Sequence, residues 1–266
     1  MSGRLALITG ASAGIGQAFA RIYASHGYDL ALTARRQDRL EALADDLRLG
    51  HGIEVMALPA DLADPKAPEA LIDAVATQGR VIDALVNNAG YGLIGAYAES
   101  RWEDQARFIR VMTTAVAELT HRVLPGMIER RFGRIVNVAS LAGLTPGAPH
   151  TGLYSAVKAF LVSFSQSLHL ELKDSGVHVS ALCPGFTYSE FHDVNHAREM
   201  VSQTPAWLWM GADEVAAFGY EAAEANRPVC VPGAPNKTLA ALGHLLPDEW
   251  SMALMAQGRR RVGSRA

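Results

Sequence analysis

Leu5-Ala6-Leu7-Ile8-Thr9-Gly10-Ala11-Ser12-Ala13-Gly14-Ile15-Gly16 decides the fold: a short apolar run breaks into a turn carrying three glycines. Leu5 to Thr9 reads as a strand, and a helix starts near Gly14. Between them bare backbone can approach a pyrophosphate at the positive end of the helix. Taken alone, such a turn also fits a glycine loop with no ligand. Further along the chain, Asp29 to Thr33, Glu54 to Pro59, Ala84 to Asn87, Arg134 to Ala139, His178 to Cys183 and Val229 to Val231 read as six more strands separated by helical patterns. Alternation of this kind predicts an α/β fold, a parallel sheet of about seven strands covered by helices on both faces.

The two longest helical patterns run from Trp102 to Arg130 and from Tyr154 to Asp174. Phe108, Val111, Ala115, Leu119, Val123 and Met127 step by three or four in the first, and Phe160, Leu161, Phe164, Leu168 and Leu172 in the second, so each helix has an apolar face.

Composition gives no second domain, and residues 1–266 read as one unit. With 49% hydrophobic and 19% charged residues the chain has the balance of an ordinary soluble globular protein. A formal net charge of -3 offers nothing to nucleic acid or to an acidic membrane surface. Arg259, Arg260, Arg261 and Arg265 make a basic end that reads as a solvated tail. Cys183 and Cys230 are too few for a disulfide framework and read as buried thiols. The first strand begins close to Met1, which leaves no room for a signal peptide. No apolar run reaches membrane-spanning length, so the chain is expected in the cytoplasm.

The chemistry concentrates in Tyr154-Ser155-Ala156-Val157-Lys158. A four-residue step on a helix advances about one turn, roughly 6 Å, so the phenol and the ammonium emerge on one face. A tyrosine near its reference pKa of about 10 is a poor proton carrier at neutrality, and a neighbouring cation is expected to lower it. Ser140 precedes the tyrosine by fourteen residues. Thr9-Gly10-x-x-x-Gly14-x-Gly16, Asp61-Leu62, Asn87-Asn88-Ala89-Gly90, Ser140, Tyr154-x-x-x-Lys158 and Pro184-Gly185 occur in the order, and near the spacings, of the short-chain dehydrogenase/reductase family, which the chain resembles over nearly its whole length.

That resemblance implies a Rossmann-type doubly wound sheet and hydride transfer between a nicotinamide and a carbonyl or secondary alcohol. Ser140 and Tyr154 would hydrogen-bond the reacting oxygen, Tyr154 would carry the proton, and Lys158 would tune the phenol and bind the nicotinamide ribose. Gly10, Ser12, Ala13, Gly14, Ile15 and Gly16 would cradle the pyrophosphate. Asp61 and Leu62 would lie at the adenine, with Asn88, Ala89 and Gly90 along the cofactor. Pro184, Gly185 and Thr187 would border the nicotinamide amide. No metal is needed for this chemistry, so His192 and His196 are read as part of a polar face. The two long helices would pack against a second subunit in a homodimer or homotetramer.

Cofactor choice rests on Leu32-Thr33-Ala34-Arg35-Arg36. A protein selecting NAD usually places an acid where Ala34 stands, whereas Arg35 and Arg36, with Arg39, put positive charge at a helix start, where it opposes the helix dipole. A 2'-phosphate would remove that conflict, so NADP(H) is expected in preference to NAD(H). The run Ala34 to Leu40 and the run Asn137 to Gly143 resemble the general-substrate carbonyl reductases of the family. The alternative is a catalytically weak dinucleotide-binding regulatory protein of the same fold. Its main support is Met112, which stands where many relatives carry an asparagine near the proton relay. Residues 186–211 hold Phe186, Tyr188, Phe191, Trp207, Leu208, Trp209 and Met210 in an irregular stretch. This segment reads as a lid over a small hydrophobic carbonyl or alcohol substrate, with Trp207 and Trp209 in the pocket wall.

Overall fold

The computed structural model describes residues 3–190, 204–246 and 249–253. In chain order the elements are β1 (Leu5–Thr9), α1 (Gly14–Ser25), β2 (Asp29–Thr33), α2 (Gln37–His51), β3 (Val55–Ala57), α3 (Ala67–Thr77), β4 (Ala84–Asn87), α4 (Trp102–Ile109), a π-helical turn (Arg110–Thr114), α5 (Ala115–Glu129), β5 (Gly133–Val138), α6 (Tyr154–Glu171), β6 (Val177–Leu182), β7 (Phe186–Tyr188), β8 (Trp209–Gly211), α7 (Ala212–Glu224), β9 (Val229–Cys230) and α8 (Ala234–Leu245). Seven strands form one parallel sheet in the order β3-β2-β1-β4-β5-β6-β9. The chain builds outward from β1 through β2 to β3, then crosses to β4 and builds the other way. The crevice beyond the carboxyl ends of β1 and β4 is therefore the topological switch point.

Alternation along each strand divides the core into two layers. Ala6 and Ile8 of β1 pack with Phe19 and Tyr23 of α1, Leu40 of α2 and Val215 of α7 on one face. Leu5 and Leu7 pack with Leu71 of α3 and Leu119 and Val123 of α5 on the other. Both faces are buried, as the mainly apolar strands require. The two cysteines lie in β9 and just after β6, and burial pushes both thiols up to about 12.

Between β4 and β5 the core carries a polar tie. Asn87 and Asn137 are register partners, and Asn87 Nδ2 donates to Asn137 Oδ1 at 2.9 Å. Asn137 Nδ2 donates on to Ser165 Oγ of α6 at 2.9 Å. An amide pair inside an apolar sheet fixes register, because sliding by one residue would leave both groups buried without partners.

The long helical pattern predicted from Trp102 is broken by the π turn, where the Ala115 N–H reaches back to Arg110 O. This extra residue per turn lets two successive side chains be buried in different places: Val111 joins the layer over α3, while Met112 joins Phe108 and Val157 of α6. β7 and β8 form a separate two-stranded parallel sheet inside the segment read as irregular. Of that segment, residues 191–203, with Phe191, His192 and His196, lie outside the described residues. Among the described residues no helix is long and apolar enough to cross a membrane.

Candidate active site

The crevice at the switch point is a cavity of ≈ 840 Å³ bounded by the glycine turn, the ends of β2, β4, β5 and β6, the start of α6, and α8. The glycine turn leaves no room for side chains. Gly10 has φ +66, and a Cβ there would lie 2.8 Å from Ala89 Cα. A Cβ on Gly16 would lie 2.3 Å from Gly10 O, and one on Gly14, at φ +55, 2.8 Å from Ser189 Cβ. The turn is fastened to β4 by side chains. The Thr9 hydroxyl accepts the backbone N–H groups of Asn88 and Ala89 at 2.9 and 3.0 Å, and Asn88 Nδ2 donates to Thr9 O and Gly10 O at 3.0 and 3.2 Å. Gly10, Ser12, Ala13, Gly14 and Ile15 line the cavity, while Gly16 lies beneath them against Gly10. A bare-backbone cradle at the start of α1 fits a dinucleotide pyrophosphate.

At the cavity floor, Ser140 leaves the end of β5 and its Oγ accepts the Ala142 N–H at 3.1 Å. The turn that follows is seated on α6: a Cβ at Gly143 would lie 2.6 Å from the Lys158 carbonyl carbon, so only glycine allows this approach. Leu141 N–H donates to Pro184 O at 2.8 Å, tying the same turn to the end of β6. Tyr154 opens α6 and its phenol hydrogen-bonds the Ser140 side chain. Lys158, one turn on, is buried; its Nζ donates to Val138 O at 2.7 Å and lies 5.7 Å from the Tyr154 ring centre. Ser140, Tyr154 and Lys158 thus converge, as the motif predicts.

Their protonation differs from expectation. Tyr154 is open to the cavity on one side and enclosed on the others, and that burial pushes its phenol up to about 12, against the opposing effect of the Ser140 hydrogen bond. Burial also pushes the Lys158 ammonium down to about 8. Desolvation outweighs the Ser140 hydrogen bond to the phenol. The tyrosine is therefore a protonated donor at neutral pH, and the lysine is poised near neutrality.

Arg35, Arg36, Asp61, Leu62, Asn88, Ala89, Gly90, Pro184, Gly185 and Thr187 all line the same cavity. Ala34 leaves the end of β2 without a carboxylate. Arg36 donates to Ser12 Oγ through Nη2 at 3.1 Å and to Glu190 Oε2 through Nη1 at 2.8 Å, and Arg39 Nη1 donates to Glu190 Oε1 at 2.6 Å. Asp61 is ion-paired with Arg107 of α4. Burial works to raise its carboxyl, but the Ala63 N–H, Arg107 and Arg35 together hold it below the usual carboxylate range.

Several residues escape the sequence reading. Arg107 and Glu190 pair with partners 46 and 151 or more positions away, a separation at which a single sequence carries no signal. Leu239, Leu242 and Leu246 of α8 and its end form a wall of the cavity with Leu93, Ile94 and Leu141. Their three- and four-residue spacing was the available clue. The tryptophans do not line it. Trp209 stacks on Tyr188 at 4.9 Å and packs on Phe186, because alternation in β8 turns it to a depression on the far side of the glycine turn, and Trp207 is 66% exposed. His150 is exposed on its loop.

Met112 is 1% exposed, in a cluster with Phe108 and Val157 against which Tyr91 and Tyr154 pack. Its Sδ lies 2.8 Å from where a Gly90 Cβ would be. The side chain fills core space behind Tyr154.

The family model for short chain dehydrogenases matches residues 4–199, and the chain belongs to that family of oxidoreductases. Oxidoreductase UcpA of Salmonella typhimurium is 41% identical over 187 residues, 70% of each chain. Among solved structures, a short-chain dehydrogenase from Sphingobium yanoikuyae in complex with NADPH is 33% identical with TM-score 0.80, covering 99% of this chain and 96% of that one. The bulky-bulky ketone specific alcohol dehydrogenase from Comamonas testosteroni is 27% identical with TM-score 0.76, covering 100% and 96%. A relative from Burkholderia phymatum, 29% identical with TM-score 0.82 and covering 91% and 93%, was solved in complex with NAD.

Proposed function

We propose that the protein is an NADP(H)-dependent oxidoreductase that interconverts a hydrophobic ketone or aldehyde and its alcohol. The observation that carries this reading is the Tyr154 phenol, hydrogen-bonded to Ser140 and facing a cavity with a glycine cradle at one end and leucine side chains at the other. A nicotinamide bound along Asn88 to Gly90 would supply or take the hydride. Ser140 and Tyr154 then hold the substrate oxygen, and Tyr154 gives the proton to the developing alkoxide, or takes it in the reverse direction. Lys158, anchored on Val138 O, sits one helical turn from that phenol, where it can return the proton. Leu239, Leu242 and Leu246 give that end of the cavity an apolar wall.

Arg35 and Arg36, in place of an acid at the end of β2, support NADP(H) over NAD(H). Arg35 forms no hydrogen bond or ion pair with another described side chain, so its guanidinium is available to a phosphate. The apolar wall, together with the ketone dehydrogenase among the solved relatives, supports a bulky substrate. Phe160 and Phe164 stack at 5.6 Å on α6 and remain partly exposed, which supports an α6 face shared between subunits of a homodimer or homotetramer.

Steady-state assays on a panel of ketones and aldehydes, with NADPH and NADH in parallel, test the reading. Turnover with NADPH that improves with apolar substrate bulk is expected. Saturable NADPH binding with no turnover of any carbonyl would show a dinucleotide-binding protein instead.

A further inference from the structure

Negative charge is missing from the end of β2, yet the cavity rim there is not left purely basic. Glu190, two residues past β7, reaches across and binds both Arg36 and Arg39, one carboxylate oxygen to each, at 2.8 and 2.6 Å. Arg36 is at the same time held on Ser12 Oγ of the glycine turn. Glu190, Arg36 and Arg39 have side chains 42%, 39% and 46% exposed, with Arg36 and Glu190 lining the cavity and Arg39 the depression beside it, so the pairing is within reach of an incoming anion. The two guanidinium groups also hold the Glu190 carboxyl below its ordinary range, so it stays ionised through neutral pH.

We infer that Glu190 is a cofactor-specificity residue, an internal competitor that holds Arg36 in the cavity lining, with Arg39 beside it, and must yield Arg36 to a 2'-phosphate. This rests on the NADP(H) reading of the same rim. A guanidinium offers a planar fork of donors. With Nη1 on Glu190 and Nε and Nη2 on Ser12, each nitrogen of the Arg36 fork already serves a protein group. A phosphate monoester dianion forms stronger paired hydrogen bonds to guanidinium than a lone carboxylate oxygen does, but it must first take the guanidinium from Glu190. NADH has a hydroxyl in that place and leaves the pairing intact. Glu190 therefore weakens NADPH and spares NADH, which narrows the discrimination that the arginines create. The acid that other chains carry on β2 is here supplied from β7's end, where it opposes the phosphate without binding the ribose from the strand.

Calorimetric binding of NADPH and of NADH to the full-length protein tests this without reference to turnover. Glu190→Gln keeps the shape and removes the charge. It is expected to tighten NADPH about fivefold, equivalent to about 1 kcal/mol, and to change NADH by less than about twofold. In an Arg36→Ala/Arg39→Ala background the same substitution is expected to leave NADPH affinity within about twofold. Equal tightening of both cofactors, no tightening, or a gain that persists without the arginines would each overturn the role of Glu190. A parent protein that prefers NADPH but shows any of those three results keeps the NADP(H) reading and loses only this one. A parent and a Glu190→Gln variant that both bind NADH as well as NADPH would refute the two together. Unchanged thermal midpoints establish that the variants are folded.

Discussion

Replacing Met112 with asparagine restores the side chain that many relatives carry, and the structure predicts that this harms the protein. The thioether is buried among Phe108, Val157, Tyr91 and Tyr154, with its sulfur against Gly90. An asparagine there loses much of that packing and brings a buried amide with no apolar neighbour able to pair with it. Truncating a buried methionine costs about 2–5 kcal/mol, and a buried unpaired amide about 1–3 kcal/mol. Asparagine fills part of the void, so a net loss of about 2–4 kcal/mol is expected, which lowers the thermal midpoint by roughly 5–15 °C in a domain of this size. Because the lost contacts include Tyr154, kcat should fall or stay level at every pH. Met112→Leu keeps apolar volume and should cost less than about 1.5 kcal/mol with kcat unchanged. Thermal unfolding together with kcat measured from neutral to alkaline pH checks both. A midpoint unchanged in Met112→Asn, with kcat rising toward high pH, would refute the packing argument and show that a polar side chain organises the relay.

Tyr154→Phe deletes the proton donor and leaves the glycine cradle, so kcat/KM should drop by about 10²- to 10⁴-fold while NADPH binding persists; activity within about tenfold of the parent would remove the assignment. Lys158 has a folded-state pKa depressed by burial to about 8, so its contribution to stability is present above its unfolded value and is lost as pH falls through 8. Compared with Lys158→Met, the parent should gain up to about 3 kcal/mol of unfolding free energy between neutrality and pH values above about 10.5, read from denaturant midpoints; a pH-independent difference would mean that the ammonium is not desolvated. Leu242→Trp should depress kcat/KM for bulky ketones and spare small ones; equal effects on both would take α8 out of the substrate wall.

Legibility followed the range of the interactions. Each sheet strand appears in the sequence as a local, mainly apolar run, and the observed strands depart from those runs by at most two residues at an end, because both faces of the sheet are buried and most positions must be apolar. The glycines of the turn and the Ser140, Tyr154 and Lys158 set were legible for a similar reason: each needs one residue type at one spacing. What stayed hidden was decided between distant segments. β7 and β8 are three residues each and pair across twenty positions. Arg107 finds Asp61, and Glu190 finds Arg36 and Arg39, only after the sheet has brought α2, α4 and β7 to one rim. The phenol's pKa was misjudged in sign because spacing reveals a nearby cation but not how far both groups are removed from water.

The same geometry sets how Ser140 and Tyr154 meet across the fourteen residues that separate them. Position is imposed at both ends of that interval and not by its length. Ser140 is held by the end of β5, and its turn is fixed on Pro184 O and pressed onto the Lys158 backbone at Gly143. Tyr154 is fixed by the first turn of α6, whose Val157 and Leu161 are buried. The slack of the interval lies between Pro146 and Gly152, where His150 adopts φ +61 and Gly152 φ +51 on the protein surface. Loop length costs little entropy there, whereas a side chain at Gly143 would lift the serine turn off α6 and separate the two groups that must hold one oxygen. Gly143→Ala should therefore damage catalysis more than deleting one residue from the 146–152 loop does, and the reverse order in kcat/KM would show that the loop, not the seat on α6, sets the distance between Ser140 and Tyr154.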